Sequence, residues 1–188
     1  ACAAAVLRIN GIPKEFPETA LEQAEFLATR GIQPSDLTNR LDLRSELIFT
    51  IDSADSKDLD DAVSLIKLGD SYQLGVHIAD VSRYVTKGSP LDEEAFSRGT
   101  SLYYANRVVP MLPEALSNVI CSLNPQEDRL TFSALLTVSE DGKLVDFDFQ
   151  KSVICSRVKG VYSEINQILD RTASPEIIEK YAGLTDTL

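Results

Sequence analysis

Two pairs of β-rich runs, each joined by a turn too short for anything but a hairpin, constrain this chain most. Ala62–Leu68 and Tyr72–Ile78 flank Gly69-Asp70-Ser71, and Leu130–Ser139 and Lys143–Cys155 flank a turn built on Asp141-Gly142. Glycine beside aspartate tolerates the positive φ that tight hairpin turns need, so both pairs are expected to be antiparallel. A shorter β-rich run, Leu47–Ile51, ends at Asp52.

Helical signals lie around these strands. Glu18–Arg30 places Leu21, Ala24, Leu27 and Ala28 at helical spacing and stops at Gly31. Ser89-Pro90-Leu91-Asp92 reads as a helix start, with Ser89 as cap, Pro90 in the first turn and Asp92 at the positive helix end. That helix is expected to run through Ala95, Phe96 and Arg98 to Gly99. Pro113–Cys121 predicts a short helix with Leu116, Val119 and Ile120 as its apolar face, and Tyr162–Leu169 and Pro175–Tyr181 predict two more. Ile32–Arg40, rich in Pro, Ser, Asp and Asn, reads as a loop. The expected class is therefore α+β, with antiparallel hairpins and helices packed on them. Residues 1–40 read as an extension or linker with one helix, and residues 41–188 as the main body.

The segment Thr50–Ala62, TIDSADSKDLDDA, holds five aspartates between one strand end and the next strand. Two unit charges about 4 Å apart repel by roughly 4 kcal/mol at an effective dielectric of about 20. Two readings follow. The side chains splay into water as an acidic loop, since aspartate is a common turn residue, or they converge on a cation. A hard divalent ion such as Mg2+ suits an all-oxygen set, and the absence of nearby His or Cys argues against zinc. An EF-hand is also excluded. Counted from Asp58, the sixth position is Val63 and the twelfth is Gly69, where Gly and Glu are required. Paired Mg2+ ions on such carboxylates suit in-line phosphodiester hydrolysis. The residues alone leave both readings open.

Charge and composition narrow the partners. The net charge is −11, from 29 acidic and 18 basic side chains. That is the wrong sign for gripping nucleic acid by net charge alone. Three dispersed cysteines without a C-x-x-C pair read as reduced thiols of a cytoplasmic protein. No apolar run is long enough to span a membrane, and Ala1–Val6 is too short for a signal peptide. His77, the only histidine, is a tempting general base, but strand alternation makes it structural. Asp80 either caps the following turn or braces the aspartate loop. Arg98, Arg107 and Arg129 are candidate phosphate contacts, with Asn106 and Arg107 expected in a loop. Ser117 and Ser122 have no base partner for serine hydrolysis.

Several motifs in order, TIDSADSKDLDDAV, LGVHIADVSRYV, GSPLDEEAFSRGTSLYYANRVVPMLPEALSN and CSLNP, resemble the RNB catalytic domain of the bacterial ribonuclease II and ribonuclease R family, with wording closer to ribonuclease R. The resemblance runs from about Ile9 to at least Leu169. It implies a processive, hydrolytic exoribonuclease that degrades single-stranded RNA from the 3′ end, releases nucleoside 5′-monophosphates and needs Mg2+, with Mn2+ as an alternative ion. The family's four catalytic aspartates match Asp52, Asp58, Asp60 and Asp61. By that match Asp52 and Asp61 ligate the better-ordered metal, Asp58 supports the RNA end and metal shell, and Asp60 is the most critical for chemistry. Tyr103 aligns with the aromatic residue that packs on the terminal nucleotide, and Tyr104 competes for that assignment.

The family's domain is longer than this chain. Its later part supplies a catalytic glutamate and an arginine, and separate cold-shock and S1 modules grip RNA. The resemblance therefore implies the N-terminal part of a catalytic domain, with the basic RNA surface elsewhere. A non-catalytic RNA-binding or regulatory module of the same fold is the alternative.

Overall fold

The computed structural model describes Ile9, residues 13–104 and residues 107–184. In chain order its elements are helix α1 (Glu18–Arg30), strands β1 (Leu41–Asp42), β2 (Thr50–Asp52), β3 (Asp61–Leu68) and β4 (Ser71–Ala79), helix α2 (Pro90–Arg98), and strands β5 (Leu102–Tyr104) and β6 (Arg107–Val109). A π-helical turn (Ala115–Ile120) follows, then β7 (Asp128–Ser139), β8 (Leu144–Cys155), β9 (Lys159–Val161), α3 (Tyr162–Leu169) and α4 (Pro175–Lys180). The mixture is α+β. The chain divides into two units that do not follow its linear order. One joins the described residues up to Gly31 with Val81–Ile120, and the other joins Ile32–Asp80 with the described residues from Cys121 onward.

In the first unit, α1 packs on α2 and on the π turn. Its buried face is Ala20, Ala24 and Leu27, whereas Leu21, expected inside, is exposed. The small alanines allow close approach, and Gln23 Oε1 accepts the N–H of Leu91 at 3.1 Å. Helix α2 starts and stops as its sequence predicts. Ser89 Oγ accepts the N–H of Asp92 at 3.3 Å, and Gly99 ends the helix in the left-handed region at φ 73°. The helix expected over Pro113–Cys121 is instead wound as π. The wider turn brings Leu116 and Ile120 inside and leaves Val119 exposed.

The second unit is built on a five-stranded sheet in the order β1-β8-β7-β4-β3. Both expected hairpins form. Leu68 pairs with Ser71 across the Gly69-Asp70 turn, and β7 returns into β8 after Gly142 at φ 80°. One face of the sheet carries a buried polar chain. His77 bonds Ser64 Oγ at 3.1 Å through Nε2 and Ser133 Oγ at 2.7 Å through Nδ1. Ser133 continues to Ser152 at 2.5 Å, and Ser152 to Thr131 at 2.7 Å. Each side-chain polar atom of this His–Ser–Thr network finds a partner, which is the condition for burying it. Gly75 makes room, since a Cβ there would stand 2.3 Å from Ser64 Oγ and 2.7 Å from His77 Nε2.

The run Leu47–Asp52 is a strand only over Thr50–Asp52, with Phe49 bridging Val63. Its partner is the three-residue β9, in parallel, so only three residues find ladder partners. Phe49, Ile165, Tyr181 and Leu184 form a core beneath it, joined by Ile51, Val63, Val158, Ile168 and Ile177. Burying each such side chain contributes about 1.5–3 kcal/mol. Ile32–Arg40 holds a short 3-10 turn, Pro34–Leu37, within the expected loop. Arg40 anchors that loop to the sheet through the carbonyls of Thr131 and Ser152, each at 3.2 Å, and through Asp80 at 2.5 Å.

Candidate functional site

The four aspartates singled out by the sequence all belong to the second unit. Asp52 ends β2, opposite Val161 of β9. Asp61 begins β3, opposite Ile78 of β4. The loop between them carries Asp58 and Asp60, and four sets of bonds hold it. Ser56 N–H closes a turn onto Ser53 O at 3.1 Å. Lys159 Nζ donates to Ala54 O at 2.8 Å and to Ser56 O at 2.6 Å. Ser122 Oγ donates to Lys57 O at 2.8 Å and accepts the N–H of Leu59 at 3.1 Å. Leu123 N–H reaches Leu59 O at 2.8 Å, and Ala79 N–H reaches Asp60 O at 3.0 Å. Leu59 is itself buried, so an apolar anchor separates Asp58 from Asp60.

The strand that ends in Asp52 is fixed with equal tightness. A Cβ on Gly160 would stand 2.3 Å from Thr50 O, so only glycine lets β9 approach β2 this closely. Tyr181, fully buried, accepts the N–H of Val161 at 3.0 Å and donates its hydroxyl to Glu164 at 2.5 Å. Core packing under α3 and α4 thus reaches the backbone opposite Asp52.

The carboxyls act on one another. Burial, with the charges of Asp61 and Asp58, raises the Asp52 pKa above the ordinary aspartate value, and nearby Thr50 and Lys159 oppose this. Partial desolvation raises Asp60, and the charges of Asp58, Asp61 and Asp52 add to it. Asp52 Oδ2 is buried without a hydrogen-bond partner, as is Thr50 Oγ1. The hydroxyl lies close enough to ease the carboxylate but not in bonding geometry. An unpartnered buried carboxylate oxygen is costly, and a cation satisfies it.

The donor set is all oxygen, which fits Mg2+. Among the described residues no three His, Cys, Asp or Glu side chains form a ready-made cage. Mg2+ does not need one, because it keeps several waters and shares ligands with substrate phosphate. Burial pushes the neighbouring Cys121 thiol up to about 12, with the Asp60 charge adding, so this cysteine is no nucleophile.

The other sequence candidates separate clearly. Tyr103 lies in the first unit, exposed on the β5–β6 hairpin opposite Val108. The side chains of Tyr104 and Arg107, and the whole of Asn106, lie outside the described residues. The backbone of Arg107 opens β6, where a loop was expected.

Arg98, a candidate phosphate contact, is held within its own unit. Its guanidinium bonds Glu94 at 2.7 Å, the carbonyls of Pro110 at 3.2 Å and Glu15 at 2.8 Å, and lies 3.8 Å from the Phe16 ring centroid. The side chain is 4% exposed and spends three of its five N–H donors on these partners. Arg129 is likewise buried against Ser122 O, Asp128 O and Glu127. Asp80 forms a buried ion pair with Arg40 at 2.5 Å, with Lys151 at 3.5 Å. Sequence reasoning missed Lys159 and Ser122 as the clamps of the aspartate loop. Ser122 stands inside the CSLNP motif, and Lys159 carried no local signal.

A family model described as the RNB domain matches residues 40–186. Ribonuclease R 1 of Lactococcus lactis subsp. lactis is 46% identical over 184 residues, covering 97% of this chain and 22% of the relative. Ribonuclease R of Thermotoga maritima is 47% identical over 173 residues, covering 92% and 24%. The structure of Mycoplasma genitalium RNase R in complex with ribose-methylated single-stranded RNA superposes with a TM-score of 0.85 at 29% identity, over 94% of this chain and 28% of that one. The chain thus spans about a quarter of the length of the relatives it matches.

Proposed function

Because the chain belongs to the RNB-domain family, we propose that it carries the aspartate half of a Mg2+-dependent exoribonuclease centre. The centre acts on single-stranded RNA from the 3′ end and releases nucleoside 5′-monophosphates by hydrolysis. The observation that carries this reading is the unpartnered, buried Asp52 oxygen amid four mutually acting aspartates. Asp52, Asp58, Asp60 and Asp61 would hold the ion, Mg2+ or Mn2+. Bound there, it would offset charge on the scissile phosphate and on the leaving oxygen.

The chain's own part is positional. Ser122, Lys159 and Ala79 hold the loop backbone, so the carboxylates need little reorganisation when a phosphate arrives. In this reading Asp60 is the residue most needed for the chemistry. Tyr103 supplies a ring for base stacking, worth about 1–3 kcal/mol per base and indifferent to base identity. That suits an enzyme that must accept any 3′ nucleotide. Arg98 is left out, because its side chain is buried and bonded to Glu94 and to the carbonyls of Pro110 and Glu15. A non-catalytic RNA-binding module would have no use for a carboxylate cluster in which Asp58 and Asp61 make the charges on Asp52 and Asp60 harder to hold. The free Cys121 and Cys155 suit a cytoplasmic setting.

The test is release of label from 3′-labelled single-stranded RNA by the protein that carries this chain. Labelled nucleoside 5′-monophosphate is expected as the first product with Mg2+, and none with a chelator. Label retained in long fragments, or equal release with chelator, would contradict the reading.

A further inference from the structure

The turn that leads out of Asp52 has little of its own to hold it. Ser53, Ala54, Asp55 and Lys57 are exposed, and the single turn bond is Ser56 N–H to Ser53 O at 3.1 Å. Lys159, half-buried on β9, supplies what is missing. Its ammonium donates to Ala54 O at 2.8 Å and Ser56 O at 2.6 Å, both charge-assisted bonds of good length. It rises from the strand that pairs with β2, next to Gly160, so it fastens the loop to the ladder that fixes Asp52. It bonds carbonyls, so the aspartate oxygens stay available to a cation.

We propose that Lys159 is a positioning residue that fixes the Ser53–Lys57 turn and so sets the cation affinity of Asp52, Asp58, Asp60 and Asp61. The inference rests on the metal-site reading above. Two effects of the side chain oppose each other. Its positive charge repels an incoming Mg2+, and its two bonds preorganise the ligands that receive it. If charge dominated, removing Lys159 would tighten Mg2+ binding. Both bonds lie within the turn that leads from Asp52 to Asp58, and in this proposal preorganisation outweighs the charge, so removing Lys159 weakens binding.

The experiment compares the wild-type protein with Lys159→Met and Lys159→Arg. Mg2+ binding is read by calorimetry, and amide hydrogen exchange at Ser56 and Leu59 is read without metal. Lys159→Met is expected to weaken Mg2+ binding by about 10-fold or more, the usual cost of losing an outer support of a metal site. It is also expected to speed exchange at Ser56 while Leu59, held by Ser122, keeps its protection. Lys159→Arg keeps charge and donors and is expected to restore most of both. Unchanged or tighter Mg2+ binding in Lys159→Met would overturn the proposal, as would equal loss of protection at Ser56 and Leu59. No Mg2+ binding by the wild-type protein would overturn the metal-site reading instead, a result visible before any variant is compared.

Discussion

His77 offers a test of how the β4 strand that supports Asp60 is stabilised. The imidazole is fully buried and bonded to Ser64 and Ser133, and burial lowers its pKa from 6.5 to about 4. Between these values the unfolded chain takes up a proton that the folded protein refuses. Stability is therefore unaffected by His77 above about pH 6.5 and falls as the pH drops toward about 4. At about 1.4 kcal/mol per pH unit, the loss over that window is about 3 kcal/mol. That is a large share of a domain's typical 5–15 kcal/mol, by rough measure.

The perturbation is His77→Gln, which keeps polar atoms for both serines but cannot titrate. The assay is urea unfolding of wild type and variant at steps from neutral pH to about pH 4. Carboxylate titrations affect both proteins and cancel in the difference. The variant starts less stable at neutral pH through imperfect packing, but its stability relative to wild type is expected to improve by about 3 kcal/mol toward pH 4. Parallel curves for the two proteins across this window would mean that His77 is not held neutral by burial.

Two further outcomes follow. Gly160→Ala places a Cβ 2.3 Å from Thr50 O, against backbone that cannot turn aside. It is expected to cost about 1–3 kcal/mol in chemical denaturation by overpacking and to weaken Mg2+ binding through Asp52; full stability would contradict the close β2–β9 approach. Tyr103→Ala is expected to change the length of the final RNA product and to weaken grip on the last nucleotides by about 1–3 kcal/mol, and unchanged products would reassign stacking to another residue.

Much of the scaffold was legible because its signals are local. Ser89-Pro90 and Gly99 bound α2, and Gly69-Asp70 and Asp141-Gly142 mark the hairpins, because each residue's own backbone preference acts within a turn. The β2 segment was read too long because its length is set by β9, over a hundred residues away in the chain. On α1 the expected Ala24 and Leu27 are buried, but Leu21 is exposed and Ala20 is buried in its place. Which edge of the stripe goes inside is set by the π turn and α2 packed on this helix, and helical spacing alone does not encode that choice.

At the site, the aspartate run announced itself by charge, whereas its supports did not. Ser122 and Lys159 act through backbone carbonyls of a distant loop, and no residue type advertises such a contact. Arg98 shows why residue type alone is ambiguous: an arginine suited to phosphate is equally suited to the carbonyls, glutamate and phenylalanine ring that surround it.

The role of the aspartate cluster is tested most directly by Asp60→Asn, assayed for Mg2+-dependent release of 3′-terminal nucleotides and, in parallel, for binding of single-stranded RNA. The substitution keeps the side-chain shape and removes one of the four charges that act on one another. Lost cleavage with RNA binding retained is the expected result. Near-normal cleavage by this variant would contradict that role.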